Sequence, residues 1–221
     1  MLHCTRQSMT ALPPPDALLL LSSHCPHCPG VLAGLGELVK RGGVGRLEAV
    51  NIEIHPERAA ELGVRSVPWL RLGPFELQGA RSVGELELWA RRVMDEDGMA
   101  DAFHDLLKSG AAGQVLRLVA QDPARLAALL PIVSNPEASL NVRLGAGMVF
   151  EEYAGTPALR ALTGPLGGLA LAEDPRVRAD AAHILGLGRD PGARPCLEAL
   201  LQDTDPEVRE IARESLDAAA G

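Results

Sequence analysis

The sequence predicts two domains of different class, an α/β domain followed by an all-α domain of helical repeats. Three observations carry that expectation. Up to residue 97, short apolar runs alternate with helical patterns, as in βαβ units. Beyond residue 98 the strand-like runs stop, and Ala- and Leu-rich segments are separated by Asp-Pro, Asn-Pro and Gly. In that second half Val142-Arg143, Val177-Arg178 and Val208-Arg209 recur at intervals of 35 and 31 residues, an internal repeat of solenoid length. The expected division is an arm over 1–15, an α/β domain over 16–97 and helical repeats over 98–221.

The arm ends in Pro13-Pro14-Pro15 and reads as loose. Residues 17–22, a continuous apolar run, suit a strand buried on both faces. Val31, Leu32, Leu35, Leu38 and Val39 recur at helical spacing until Gly42-Gly43. Residues 47–54 read as a second strand, parallel to the first because a helix connects them. Pro56 opens a short helix, 57–62, ended by Gly63. Strands at 69–72 and 75–78 flank the turn Gly73-Pro74. Ser82 and Glu85 form a capping box for a helix over 83–93. Asp95-Glu96-Asp97-Gly98 marks the boundary.

In each repeat the apolar positions four and eight residues after the Val lie on one helix face. They are Ala146 and Phe150, Ala181 and Leu185, Ala212 and Leu216. Residues 157–171 and 193–201 read as the partner helices, and 99–131 as helices joining the repeats to the first domain. Each Val is expected in the core, with its Arg pairing a neighbouring Asp or a helix end.

Composition narrows the function. Hydrophobic residues at 47% support a core, and with only 3% aromatics Leu, Val and Ala must fill it. A net charge of −8 argues against a nucleic-acid partner, which requires a basic face. Residues 98–221 hold 11 basic and 17 acidic side chains, so most of the negative charge sits there. No apolar stretch approaches the roughly 18–20 residues of a membrane span. The start of the chain is a poor signal peptide: Leu18 to Leu21 is short, three prolines precede it, and no small-residue cleavage site follows. A cytoplasmic protein without a membrane partner is expected.

Four cysteines are too few for a disulfide scaffold, and two of them form Cys25-Pro26-His27-Cys28 between a strand and a helix. A helix N-terminus stabilises a thiolate, the nucleophilic form. Cys25 is therefore expected to attack and Cys28 to resolve the mixed disulfide. His27 is expected to stabilise the Cys25 thiolate when protonated or to donate a hydrogen bond to it, which favours a relatively oxidising potential. Pro29 removes one early helix bond, tolerable in a first turn. A metal is the rival reading. His24, Cys25, His27 and Cys28 lie too close along one turn for all four to reach one tetrahedral ion, although two cysteines completed by another chain could bind one. Neither metal nor cofactor is expected beyond the redox-active Cys25–Cys28 disulfide.

Further residues have a structural reading beside a functional one. His3 and Cys4 read as solvated, with a regulatory disulfide to Cys4 as the sharper alternative. Cys196 reads as a small buried apolar residue and His183 as structural. Trp69 suits either a substrate groove or the core.

Residues 51–68, NIEIHPERAAELGVRSVP, resemble the segment of bacterial thioredoxins that runs from an Asn-Ile strand to the cis-proline, with the same 17-residue interval. Gly79-Ala80-Arg81-Ser82-Val83-Gly84-Glu85-Leu86 resembles the start of that family's last helix. The resemblance covers roughly residues 16–94. It implies a thioredoxin-like fold, a cis-proline at Pro68 beside the active site, and Val67 as backbone that pairs with a bound peptide. With Trp69 these form the expected substrate-binding set. Three departures stand out. Leu19 replaces the family's buried Asp, Ala49 its Lys, and His24 the Trp before the motif. Without that carboxylate, fast thioredoxin-style reduction is in doubt. Pro26-His27 is the dipeptide of the periplasmic disulfide oxidases, whose helical insertion has no space here.

Residues 135–219 resemble HEAT-like repeats, which stack and present a long face to partners. The combined expectation is a thiol–disulfide oxidoreductase that acts on a protein disulfide, exchanges electrons with a reductase or other thiol donor, and docks its partner on the repeats. The alternative is a non-catalytic adaptor, chaperone or redox-sensing scaffold. Substrate, donor, direction of flux and oligomeric state are not written in the sequence.

Overall fold

A computed structural model describes residues 12–95 and 97–219. The chain divides into two compact units, Met1–Met99 and Ala100–Gly221. His3 and Cys4 lie outside the described residues.

In the first unit, β1 (Asp16–Leu21) leads through α1 (Cys28–Lys40) to β2 (Arg46–Asn51). Then come α2 (Pro56–Glu61), β3 (Trp69–Leu72), β4 (Phe75–Gln78) and α3 (Val83–Met94). The mixed sheet has the order β2-β1-β3-β4. β1 runs parallel to β2, with Leu19 opposite Ala49, and antiparallel to β3, with Leu19 opposite Leu70. β3 and β4 are antiparallel. β1 is central, so its run of leucines is buried on both faces. Alternation sends Leu18 and Leu20 to one face, where they pack with Trp69, Val50, Ile52, Ala59 and Leu62. Leu19, fully buried, points to the other.

Local chemistry explains the boundaries. α1 ends in a Schellman motif: Gly43 N–H donates to Leu38 O and Gly42 N–H to Val39 O, with Gly42 at φ 75°. The Ser82–Glu85 capping box forms and starts α3. α1 packs on α3 where Gly34 leaves room; a Cβ there would stand 2.9 Å from Leu86 Cδ1. The strand expected over 47–54 stops at Asn51. The Asn51 side chain accepts Glu53 N–H at 2.9 Å and its carbonyl accepts His55 N–H at 2.9 Å, so the chain turns.

The remaining helices begin with α4 (Gly98–Lys108), α5 (Ala112–Gln121), a 3-10 turn over Pro123–Leu129 and α6 (Leu130–Val133). The repeats follow as α7 (Leu140–Glu152), α8 (Pro157–Arg160), α9 (Thr163–Leu169) and α10 (Pro175–Gly188), then α11 (Arg194–Leu200) and α12 (Pro206–Ala219). The single helix expected over 157–171 is divided into α8 and α9 by a turn at residues 161–162. Pro165 has no N–H for residue 161 and its ring crowds that carbonyl.

Val142, Val177 and Val208 are buried, as are Ala146, Phe150, Ala181, Leu185 and Ala212. The third repeat departs from the expected pattern. Leu216 is only half-buried, and Ser215 fills the seam at 5% exposure. Gly186 on α10 explains this. A Cβ there would lie 2.6 Å from Ser215 Cβ, so α10 and α12 approach too closely for a larger side chain. Cys196, expected in the core, is half-buried. Burial raises its thiol pKa.

Candidate functional site

Cys25 lies in the segment between the C-terminal end of β1 and α1, which begins at Cys28 with His27 as N-cap. His27 makes no side-chain cap hydrogen bond, and Pro29 has no N–H to satisfy. Cys28 N–H is shared between the Cys25 carbonyl oxygen at 3.4 Å and Cys25 Sγ at 3.2 Å. That bond, aligned with the positive end of the helix, favours negative charge on Cys25.

The two sulfurs are joined as a disulfide, with Cα atoms 5.5 Å apart. Cys28 is 2% exposed, whereas Cys25 is half-buried. An incoming reagent therefore meets Cys25 first. Cys25 Sγ lies 3.7 Å from the carbonyl oxygen of Val67. Val67 is half-buried, Pro68 is buried, and the bond between them is cis. These three residues converge at the tip of the sheet.

Trp69 belongs elsewhere. It is 2% exposed and packs with Leu18 and Leu20, so its assignment to a substrate groove is corrected to the core. β3 alternates, and Trp69 takes the inward position. His27 is exposed, and among the described residues no hydrogen bond joins it to Cys25. Leu19 and Ala49 face each other in register, so neither position supplies a carboxylate or an amine beneath the cysteines. Among the described residues no three His, Cys, Asp or Glu side chains gather as a metal site.

Sequence reasoning missed the clamp beside Cys25. Asn51 Nδ2 donates to Ser23 Oγ at 2.9 Å, and His24 Nδ1 lies 3.1 Å from Glu53 Oε1. Hydrogen bonds from His24 and then Ser23 hold the Glu53 carboxyl below its ordinary pKa. The partners are 28 and 29 residues apart and nothing local pairs them; only the parallel register of β1 and β2 brings them together.

In the second unit the repeated Arg residues stitch neighbours together. Arg143 binds Asp180 on α10. Arg178 grips Asp203 through two bonds of 2.7 Å and also donates to Ala172 O and Glu173 O. Arg209 donates to Asp203 O and Thr204 O. Cores at each Val and ties at each Arg make one continuous stack. Residues 126–217 match HEAT repeats. The HEAT repeats thus span every Val-Arg pair and the Arg143–Asp180 and Arg178–Asp203 ion pairs. A comparison with curated proteins finds no match. Among the described residues no helix is long and apolar enough to cross a membrane.

His183 on the HEAT repeats is exposed, 3.9 Å from Glu151.

Proposed function

We propose that the protein is a thioredoxin-like thiol–disulfide oxidoreductase that acts on protein disulfides and docks them through its HEAT repeats. The observation that carries this is the unequal pair: Cys25 half-buried with a backbone N–H on its sulfur, Cys28 2% exposed behind it. In the reducing direction the Cys25 thiolate attacks one sulfur of the substrate disulfide and expels the other as a thiolate. Cys28 then loses its proton and attacks Cys25 Sγ, releasing the second substrate thiolate. The substrate leaves as a dithiol, the protein keeps the Cys25–Cys28 disulfide, and a dithiol donor returns two electrons. Run backwards, the same steps oxidise a substrate dithiol. Val67 offers backbone beside Cys25 for an extended peptide, and exposed His27 adds positive charge near the thiolate when protonated. The cytoplasm is the proposed compartment. HEAT repeats commonly mediate protein contacts, and tethering raises the substrate concentration at Cys25.

Equilibration against glutathione buffers tests the proposal. The wild type is expected to show a two-electron transition, and Cys25→Ser none. The midpoint gives the favoured direction, and one near that of reducing thioredoxins would defeat the oxidising expectation. No transition in the wild type would end the enzyme reading and leave an adaptor built on the repeats.

A further inference from the structure

Aligning the repeats on Val142, Val177 and Val208 exposes a graded surface. The positions two before, two after and six after each Val are Leu140, Leu144 and Met148 in α7. In α10 they are Pro175, Ala179 and His183, and in α12 Pro206, Glu210 and Glu214. The α7 set forms one stripe along two turns, yet these side chains are 70%, 60% and 52% exposed. Nothing in the described chain covers them. The neighbouring Gly147 opens onto a small cleft of about 40 Å³ lined by Ile132, Val133, Ala146 and Ile184. His183 lines this cleft and also the next one, which is lined by both Glu214 and Arg189. On α10 Ala179 is buried and Pro175 half-buried, so the exposed positions run from the apolar set on α7 through His183 to Glu210 and Glu214 on α12.

Charge selects the occupant. Glu137, Glu151 and Glu152 are exposed at the two ends of the stripe, and Glu210 and Glu214 at the far end of the surface. Of the nearby cations, Arg143 on α7 is tied to Asp180 and exposed Arg176 on α10 to Asp174, so the five glutamates outweigh them. A second copy laid antiparallel on α7 would bring Glu137 of one chain towards Glu151 and Glu152 of the other. We propose that this surface docks a basic amphipathic helix of a partner protein, its apolar side chains on Leu140, Leu144 and Met148 and its Lys or Arg residues towards Glu210 and Glu214. The proposal names the partner class for the docking half of the function above and requires no thiol chemistry.

The probe is a cysteine-free, fluorescein-labelled synthetic peptide of about 15 residues, with Leu on one helical face and Lys on the other, titrated with the full chain. A second peptide has every Lys replaced by Glu. Saturable anisotropy with the Lys peptide is expected, weakened about tenfold or more by Leu144→Asp and by Glu210→Lys with Glu214→Lys. The Glu peptide should bind at least about tenfold more weakly. Circular dichroism confirms folding, and Leu144→Gln decides the matter if Leu144→Asp unfolds. Equal binding by all variants, equal binding of both peptides, or no saturation would overturn the proposal. So would a wild-type dimer in sedimentation that Leu144→Asp converts to monomer. Because the peptide has no cysteine, a failure here is distinguishable from failure of the thiol couple.

Discussion

Replacing Gly186 with Ala tests whether the close approach of α10 and α12 organises the repeat stack. An alanine Cβ at that position would meet Ser215 Cβ at 2.6 Å and Ser215 Cα at 2.9 Å. Carbon atoms rest about 3.5–4.0 Å apart, so the helices must separate by roughly 1 Å. Overpacking of this kind costs about 1–3 kcal/mol, here near the upper end because Ser215 Cα is backbone. Alanine returns up to about 1 kcal/mol in helix propensity. The net expectation is a loss of about 2 kcal/mol, equivalent to a fall of roughly 8 °C in the melting temperature of a unit this size. Far-UV circular dichroism reads the helical unit. Fluorescence from Trp69 and Trp89 reads the first unit, which contains both tryptophans, and should not move. Gly147→Ala is the control. Nothing lies within 4 Å of its Cβ position, so the same change should raise the helical transition. Adding Ser215→Gly to Gly186→Ala should recover part of the loss. If Gly186→Ala melts at or above the wild type, α10 and α12 are not in intimate contact and the account of the third repeat is wrong.

Two further expectations concern the ion pairs and the cysteines. Asp203→Asn leaves the largely buried Arg178 guanidinium without its carboxylate partner and should destabilise the helical unit by roughly 2–3 kcal/mol in thermal melts. Arg178 keeps the Asp203 carboxyl below its ordinary pKa of 3.8, and Arg176 lowers that of Asp174 to about 2. Because folding depresses these values, their stabilisation is complete above the ordinary pKa and fades as pH falls from about 4 towards 2. Melts across that range should show a shallower acid slope in Asp203→Asn, and an identical slope would refute the assignment. In the reduced protein, Cys25 should be alkylated well before Cys28. Cys28→Ser should then accumulate a mixed disulfide with a disulfide-bonded test peptide, visible by mass spectrometry. Equal labelling of the two thiols would contradict the burial difference.

The elements legible in the sequence were those whose signals are local. The 69–78 hairpin needs only two apolar runs around Gly73-Pro74, and α3 needs only Ser82 and Glu85. The errors came from side chains acting at a distance or against a period. Asn51 ended a strand whose alternation continued to Ile54. Pro165 divided a helix that its apolar spacing had joined. Leu216 lost its core position to Ser215 because of a glycine 29 residues earlier on another helix. At the candidate site, the spacing of Cys25 and Cys28 and the strand-to-helix junction were readable. The burial of Trp69 and the His24–Glu53 contact depended on strand register and tertiary packing.

The packing of α10 constrains how this surface can diversify. Of its fourteen residues only Arg176 and His183 are exposed; the rest are held by neighbouring helices or by the ties at Arg178 and Asp180. Most substitutions along α10 would disturb packing before they could alter recognition. α7 and α12 carry exposed side chains at several positions and can change them with little structural penalty. Substitutions can therefore accumulate at the two flanks while the middle helix stays nearly frozen, with Arg176 and His183 the two positions where it too can vary.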